Sequence, residues 1–593
     1  MVDTEVLIVG AGPVGLTLAV DLSLRGVRCI LLEQKDAPQF LPKMERCNAR
    51  TMEIFRRMGL AERIRAAGLP AHCPMDVFIV TSLVEPPLLH LPYPSVAAAK
   101  EEIAASTGAA LPLEPYQLIS QYTLEPLLKE FAETLPSVTV RYGSEFLDFA
   151  EIPGAVTARV RTNGVGDIDG SGGRGGGAGA RGNVAAISSK YLVGCDGGAS
   201  TIRKQLGIGL AGDGNLLELR QALFRCDDLY DRIPIGKGRH YHVADARSTQ
   251  LIVQDSTRHF TLHAVVERDE DMAPLFSETV AMPLPFDMIN VGKWRQNLLL
   301  ADRYGNGSRV FLAGDAVHLV IPTGGLGMNT GCGDAIDLSW KLAGTLAGWG
   351  GPNLLRSYEI ERRQVGERNV AASRFASLGR RKWRAMWRPE FRDATPAGAA
   401  ARAALARVAD VEQRKANEMV GAELGYRYLR SPLIAGEAGE ALRRSKLPHQ
   451  PDGQQQPGSE ASRRTAPPQS EGREGPEGLG WSAHDFMDYV PTTVPGVRLP
   501  HVWLGDGTAV QDCIGYGHGY TLLRLGGGAD MVPLGRAFAA RGAPYQALDL
   551  ADERARDIYG CDLILLRPDL HVVWRGNAPP ADPTALAAMA TGW

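Results

Sequence analysis

Two stretches of the sequence pair side-chain-free backbone with one well-placed carboxylate. "GAGPVG" runs from Gly10 to Gly15, and Glu33 ends the next apolar run. Gly10, Gly12 and Gly15 allow a tight turn, close approach of a pyrophosphate and close packing of helix on strand. Pro13 and Val14 open the helix whose positive end would face the phosphates. Glu33 is then placed to accept hydrogen bonds from an adenosine ribose. A lone G-x-G-x-x-G can equally be a structural turn. Here it follows a strand, opens a helix and has its acid in position, which favours dinucleotide binding. "RVFLAGDAVHLVIPTGGLGMN" is the second stretch. Its strand ends at Asp315, an acid suited to a second ribose-type hydroxyl chain. Gly325, Gly327, Met328 and Asn329 then bare backbone N–H groups ahead of another helix. Such backbone can approach a flat heterocycle edge-on, and the helix end can stabilise negative charge developing on it. The plainer reading of that segment is a mobile glycine-rich loop.

The elements that must hold these groups show as periodicity. "TEVLIVG" and "VRCILLE" read as buried parallel strands on either side of the helical "PVGLTLAVDLSLRG". Residues 49–68 read as helix, break, helix, and 124–135 as an amphipathic helix. "VTVRYGSEFLDF" alternates like antiparallel strands, and "SKYLVGCDGGASTIRKQLGI" reads as strand, loop, helix. Alternating segments between 217 and 300 predict an antiparallel sheet inserted into the α/β unit. Two helices follow Asp315, the second long and basic. The Gly-rich 169–182 and the Pro/Gly/Gln/Ser-rich 448–479 cannot pack a core, which predicts disorder, the second as a linker. The expected fold class is α/β. A Rossmann-type domain spans 1–390 with a substrate sheet inserted at about 210–300, followed by a helical segment 391–447, the linker, and a small α/β domain over 480–593.

The chain has 593 residues, 44% hydrophobic content and a formal net charge of −3. At roughly 100–200 residues per domain this suggests about three units. The balance supplies no basic field for nucleic acid. Eight cysteines form no C-x-x-C pair and no metal-ligand spacing, so no metal is expected and they read as reduced thiols of a cytoplasmic protein. The apolar N-terminus lacks a basic n-region and is broken by glycines and Pro13, so it does not read as a signal peptide. No uninterrupted apolar run suggests a membrane span.

These residues carry a resemblance. "GAGPVG", "GCDGGASTIRK" and "RVFLAGDAVHLVIPTGGLGMN" resemble the three fingerprints of the FAD-dependent aromatic hydroxylases, the single-component flavoprotein monooxygenases. "NARTMEIFRRMGL" and "LLRPDLHVVWR" further resemble the phenol hydroxylase and chlorophenol monooxygenase branch, whose last domain is thioredoxin-like. The resemblance implies FAD as cofactor, NADPH or NADH as reductant and O2 as co-substrate. In the implied cycle reduced flavin captures dioxygen as a C4a-hydroperoxide, which a phenolate-activated ring attacks. It also implies that Asp196 and Arg203 contact FAD and the nicotinamide, that Gln121 in "LISQYTLE" contacts FAD, that Asp315 holds the ribityl–pyrophosphate side, and that Pro322 forms the ring-facing wall. Lys43 stands where the family often has arginine. It keeps the charge but loses the bidentate geometry.

The same resemblance places an acid five residues before the arginine of the "RTMEI" helix, and Glu45 stands five before Arg50. Glu45 is therefore the expected acceptor or relay of a phenol proton, with Arg46 or Tyr241 as possible phenolate partners. A solvated carboxylate, or one paired with Lys43 or Arg46, is the plainer reading. In "GRHYHVADAR" alternation puts His240 and His242 on one strand face and Tyr241 on the other, with ordinary packing the commoner fate of such residues. For His318 a structural hydrogen bond and a catalytic role are both open. The expected activity is hydroxylation of a small phenolic substrate, ortho to its hydroxyl, by a homodimer. An aromatic polyketide hydroxylase and a non-catalytic flavin-binding scaffold are the alternatives.

Overall fold

β-branched runs that stop at glycine assemble the first sheet of the computed structural model, which describes residues 2–162, 183–436 and 481–593. Thr4–Val9 lies between Cys29–Leu32 and Asn183–Gly194, parallel to both, and Val310–Leu312 adds parallel to the last of these. Val138–Arg141 closes the far edge, also parallel. This corrects the antiparallel expectation for that segment. Ser144–Ile152 does run antiparallel, against Ala155–Thr162, which pairs in turn with the first half of Asn183–Gly194. Every residue of Cys29–Leu32 and Val310–Leu312 is buried, as expected of strands covered on both faces. The Gly-rich 169–182 and the segment 448–479 lie outside the described residues.

Helix Pro13–Leu24 packs on Gly327–Leu346, so the two helices that follow the predicted glycine turns lie side by side. The 33-residue helix Pro352–Arg384 packs on the second of these and against the next sheet.

That second sheet has eight strands and is wider than the predicted insertion. Leu210–Arg225, Asp287–Ala301, His259–Ala264, Gln250–Val253 and His240–Val243 form its body. Val77–Val80 and Leu89–Leu91 extend one edge, and His318–Leu319 the other. Apolar side chains on one face, among them Phe78, Phe224, Tyr241, Leu251 and Leu262, form a buried core with helix Met272–Val280. The opposite face turns toward the long helix and is polar.

In the last domain Tyr520–Arg524 pairs parallel with Tyr545–Asp549 and antiparallel with Leu563–Leu566, which forms a hairpin with Val572–Gly576. Helices Val532–Ala539, Glu553–Tyr559 and Pro583–Ala590 connect and cover it. This is the thioredoxin-like arrangement. Cys513 and Cys561 are both free thiols. The domain is not set apart: Trp340, Trp349 and Leu354 share one core with Tyr520, Leu522, Phe538 and Leu565. Arg498 forms a two-pronged ion pair with Glu53 across the same junction.

Candidate active site

The carboxyl ends of the first sheet's parallel strands open onto one cleft of about 430 Å³, lined by Gly10, Gly12, Glu33, Lys43, Glu125 and Asp196 among others. The glycine turn is built for contact. A Cβ on Gly15 would lie 2.0 Å from the Gly10 carbonyl oxygen, so only glycine lets the helix sit this close to the strand. Glu33 Oε2 accepts the Ala11 N–H at 3.1 Å and Oε1 accepts the Lys35 N–H at 3.1 Å. A carboxylate has about four acceptor positions, so capacity remains for hydroxyl donors. Pro13 occupies the first helical position, where its missing N–H costs nothing, and Val14 packs beneath Gly314 and Gly331.

Asp196 supplies a second acceptor. Its Oδ2 takes the Thr201 N–H at 2.7 Å and the Ile202 N–H at 3.3 Å, while Oδ1 is buried with no partner. Arg203 donates to the Ala316 and Gly198 carbonyls, both at 2.9 Å. That places it behind the Asp315 turn as a brace. Asp315 itself is exposed, yet the protein around it raises its carboxyl pKa, with His318 and Lys43 opposing. Gln121 donates to Glu125 on the same wall.

This donor set fits FAD. Glu33 and Asp315 suit its two hydroxyl-bearing chains. The helix start at Gly12–Val14 suits its pyrophosphate, because the space above Gly12 is clear but for Glu125 Oε1 at 3.8 Å. The orphaned Asp196 oxygen lies on the same cleft wall. These residues would hold the cofactor.

The segment Pro322–Asn329 follows. Pro322 is exposed, and its carbonyl accepts the Gly325 N–H at 2.8 Å. Gly325 has φ +66°, and a Cβ there would meet Arg46 Nε at 2.6 Å. Arg46 is buried: it donates to the Gly324 carbonyl at 2.7 Å and to Glu423 at 3.2 Å, and its guanidinium lies over the Tyr116 ring. Both bonds come from Nη2 and prop the glycine loop. Asn329 accepts the Asn48 N–H and donates to the Gly325 and Arg46 carbonyls, which ties the helix start at Gly327 and Met328 to the strand Arg46–Cys47.

Glu45 comes to the site with a partner that sequence reasoning did not give it. His240 Nε2 lies 2.9 and 2.8 Å from its two oxygens. Burial works to raise the Glu45 carboxyl, but His240, Arg239 and Arg46 outweigh it and bring the pKa down to about 2. Burial lowers the His240 pKa; Glu45 opposes, while Arg239 and Arg380 add to the fall. The first shift presumes a charged imidazole and the second a neutral one. With two guanidiniums at hand and the ring only 7% exposed, carboxylate with neutral imidazole is the state that satisfies both environments. The bonding then assigns the imidazole proton to Nε2 and leaves Nδ1, which is buried without a partner, as an acceptor.

Tyr241 is corrected. It faces the apolar core, fully buried, with its hydroxyl donating to the Gly236 carbonyl and accepting the Gly238 N–H, both at 2.9 Å. Alternation turns it away from the site for the same reason that it turns His240 inward. On the polar face His242, Gln250, His263 and Gln221 stand in register across four strands. His318 is structural: it donates to Asp334, which also takes the Gly314 N–H and Arg362 Nε. The one signal for this cluster in the sequence is the pair of acids, Asp334 and Asp337, inside the otherwise largely apolar helical stretch "GCGDAIDLSW".

The family described as "FAD binding domain" matches residues 3–373, and "Aromatic-ring hydroxylase, C-terminal" matches 492–593. The chain is 30% identical to FAD-dependent monooxygenase apdD of Emericella nidulans, over 99% of this chain and 90% of that protein. It is 26% identical to a phenol 2-monooxygenase of a Pseudomonas species, over 100% and 93%. Identity to aklavinone 12-hydroxylase DnrF of Streptomyces peucetius is 34%, over 61% and 72%. Among solved structures, chromopyrrolic acid-soaked RebC with bound 7-carboxy-K252c superposes with a TM-score of 0.81 at 29% identity, covering 100% of this chain and 99% of that one.

Proposed function

The chain belongs to the FAD-dependent aromatic-ring hydroxylases, and on that premise we propose that it hydroxylates a phenolic ring, ortho to the existing hydroxyl, with NADPH or NADH as reductant. Bound FAD would supply the electron transfer and the activation of dioxygen. The chain's own residues do the rest. The Gly324–Asn329 loop, propped by Arg46 and Asn329, holds the ring-facing backbone rigid. Glu45, 24% exposed and the open member of its pair, accepts the hydrogen bond of the substrate hydroxyl, and His240 keeps it ionised and in one orientation. The apolar core behind the sheet keeps bulk water from the far side.

The observation that carries this reading is the Glu45–His240 pair, set beside the loop that faces the cofactor. The test is oxygen uptake and nicotinamide oxidation by the FAD-loaded protein over a panel of phenols, with product identification. Phenol-stimulated uptake with an added ring hydroxyl is the expected result. Flavin that no nicotinamide reduces, with or without a phenol, would instead indicate the scaffold alternative.

A second reading, a fused-ring substrate of the polyketide type, draws on the polar sheet face. Four strands at about 4.8 Å spacing make it roughly 14 Å across, more than one ring occupies.

A further inference from the structure

The chain between Glu33 and Glu45 forms one wall of the cofactor cleft, with Gln34, Lys35, Pro38, Gln39, Leu41 and Lys43 lining it. Both ends of this segment are fixed. The Lys35 carbonyl accepts the Gly143 N–H at 2.8 Å, and the Met44 carbonyl accepts the Gln121 N–H at 3.2 Å. The middle is not built into the fold. Among the described residues no strand pairs with it. Its main chain bonds to itself instead, Leu41 N–H to the Gln39 carbonyl at 2.9 Å and Lys43 N–H to the Leu41 carbonyl at 3.0 Å. Pro38 and Pro42 have no N–H to offer and stiffen the run. Ala37, Gln39, Phe40 and Lys43 are exposed. A segment with so few buried contacts and no ladder bonds opens far more readily than the sheet beside it.

Three contacts hold this stretch down, and all come from elsewhere in the chain. Asn290 Nδ2 donates to the Phe40 carbonyl at 2.9 Å, and Gln221 Nε2 donates to the Pro42 carbonyl. The Phe40 ring lies 4.2 Å from the Tyr122 ring, centroid to centroid, and is still 47% exposed. A ring so open to water is docked on the surface rather than packed in a core. Asn290 and Gln221 both belong to the second sheet. Asn290 stands opposite Leu223, two residues from Gln221 on the neighbouring strand, so both amides leave the same polar face.

We propose that residues 34–43 form a strap that opens to admit and release FAD, latched shut by Asn290 and Gln221 of the second sheet and by Phe40 on Tyr122. The latch contacts are made between protein groups alone. They hold the closed strap whether or not the cleft is filled, so weakening them speeds entry and exit together and leaves affinity nearly where it was. Lys35 and Lys43 travel with the strap and carry two cations into the cleft wall as it closes. Cofactor exchange is thereby tied to the second sheet rather than to the glycine turns that grip the cofactor.

The test is flavin exchange on the full chain. Association is read by stopped-flow quenching of FAD fluorescence on mixing with flavin-stripped protein, and dissociation by loss of bound FAD during a chase with excess isotopically labelled FAD. Phe40→Ala and Asn290→Ala should each raise both rate constants by about two- to tenfold, with their ratio within about threefold of the parent's. Combining the two should raise both rates beyond either alone. Faster dissociation with unchanged association would mean that these residues only help to grip flavin, and would overturn the proposal. Rates that neither variant changes, or association that slows, would overturn it as well. The two variants are read independently, so if one fails to fold the other decides. A parent chain that takes up no FAD overturns the strap together with the cofactor site. No turnover enters these measurements, so the hydroxylase reading stands or falls separately.

Discussion

Glu45 and His240 are separated by 195 positions and act as one group. Glu45→Gln removes the ionised acceptor and the anchor of the His240 proton. Hydroxylation should fall by about 10²–10⁴-fold with FAD still bound, read as product formed per flavin. The same pair governs acid stability. The His240 hydrogen bond and the guanidiniums of Arg239 and Arg46 hold the folded carboxyl below its ordinary 4.5, so its stabilisation is complete above pH 4.5 and is lost as pH falls from there toward about 2. The contribution is on the order of 1–3 kcal/mol. Melting curves of Glu45→Gln between those pH values should decline less steeply than those of the parent. Tyr241→Phe should show the opposite profile. It leaves the Gly238 N–H without its acceptor and costs about 1–2 kcal/mol of stability, with hydroxylation per flavin unchanged. The alternation of "GRHYHV" was legible as a pattern. Which of its faces would meet Glu45 was not, because that depends on where a distant segment docks.

At the scale of elements, what the sequence revealed was what a few consecutive residues decide. Strand, glycine turn, helix and terminal acid lie within 30 residues at the first motif, and strand, acid, glycine turn and helix start within about 20 at the second, and both appear in the structure as expected. Val138–Arg141 was misread because a four-residue alternating run suits either pairing direction, and its neighbour Cys29–Leu32 is fixed by the whole sheet. The breadth of the second sheet was hidden for a related reason: Val77–Val80 joins it more than a hundred residues ahead of the insertion. The Gly324–Asn329 loop offers a direct test of element geometry. Gly325→Ala places a methyl against Arg46 at a left-handed backbone angle. A stability loss of about 1–2 kcal/mol is expected, with a lower flavin-to-protein ratio after gel filtration. An unchanged ratio would show that the loop does not need this conformation to retain the cofactor.

At the scale of the molecule the last domain is tied to the cofactor cleft by buried charge. Arg567 bonds Asp337, Glu361 and Asp569, and Lys341 bridges the first two. The Tyr428 ring lies against Arg567, and its hydroxyl accepts from Arg362, which holds Asp334 under the Gly314 turn. Arg567→Met strands those carboxylates and should cost about 3–5 kcal/mol, visible as a lower melting temperature together with earlier flavin release. A substitution that lowered the melting temperature without advancing flavin release would uncouple the domain from the cleft. The order of the first sheet has a further implication, for synthesis. Its centre, Leu192–Gly194, is flanked by Val6–Val9 and by Val310–Leu312, so a nascent chain must emerge past its midpoint before the last parallel strand is in place. The charge lock with Arg567 comes later still, more than two hundred residues further along the chain. Pairings this remote in the chain are slow to form, and until they do, apolar edges stand open to aggregation. Ribosome-bound intermediates of this protein should therefore depend on chaperones and take up flavin only once the segment carrying Arg567 has emerged.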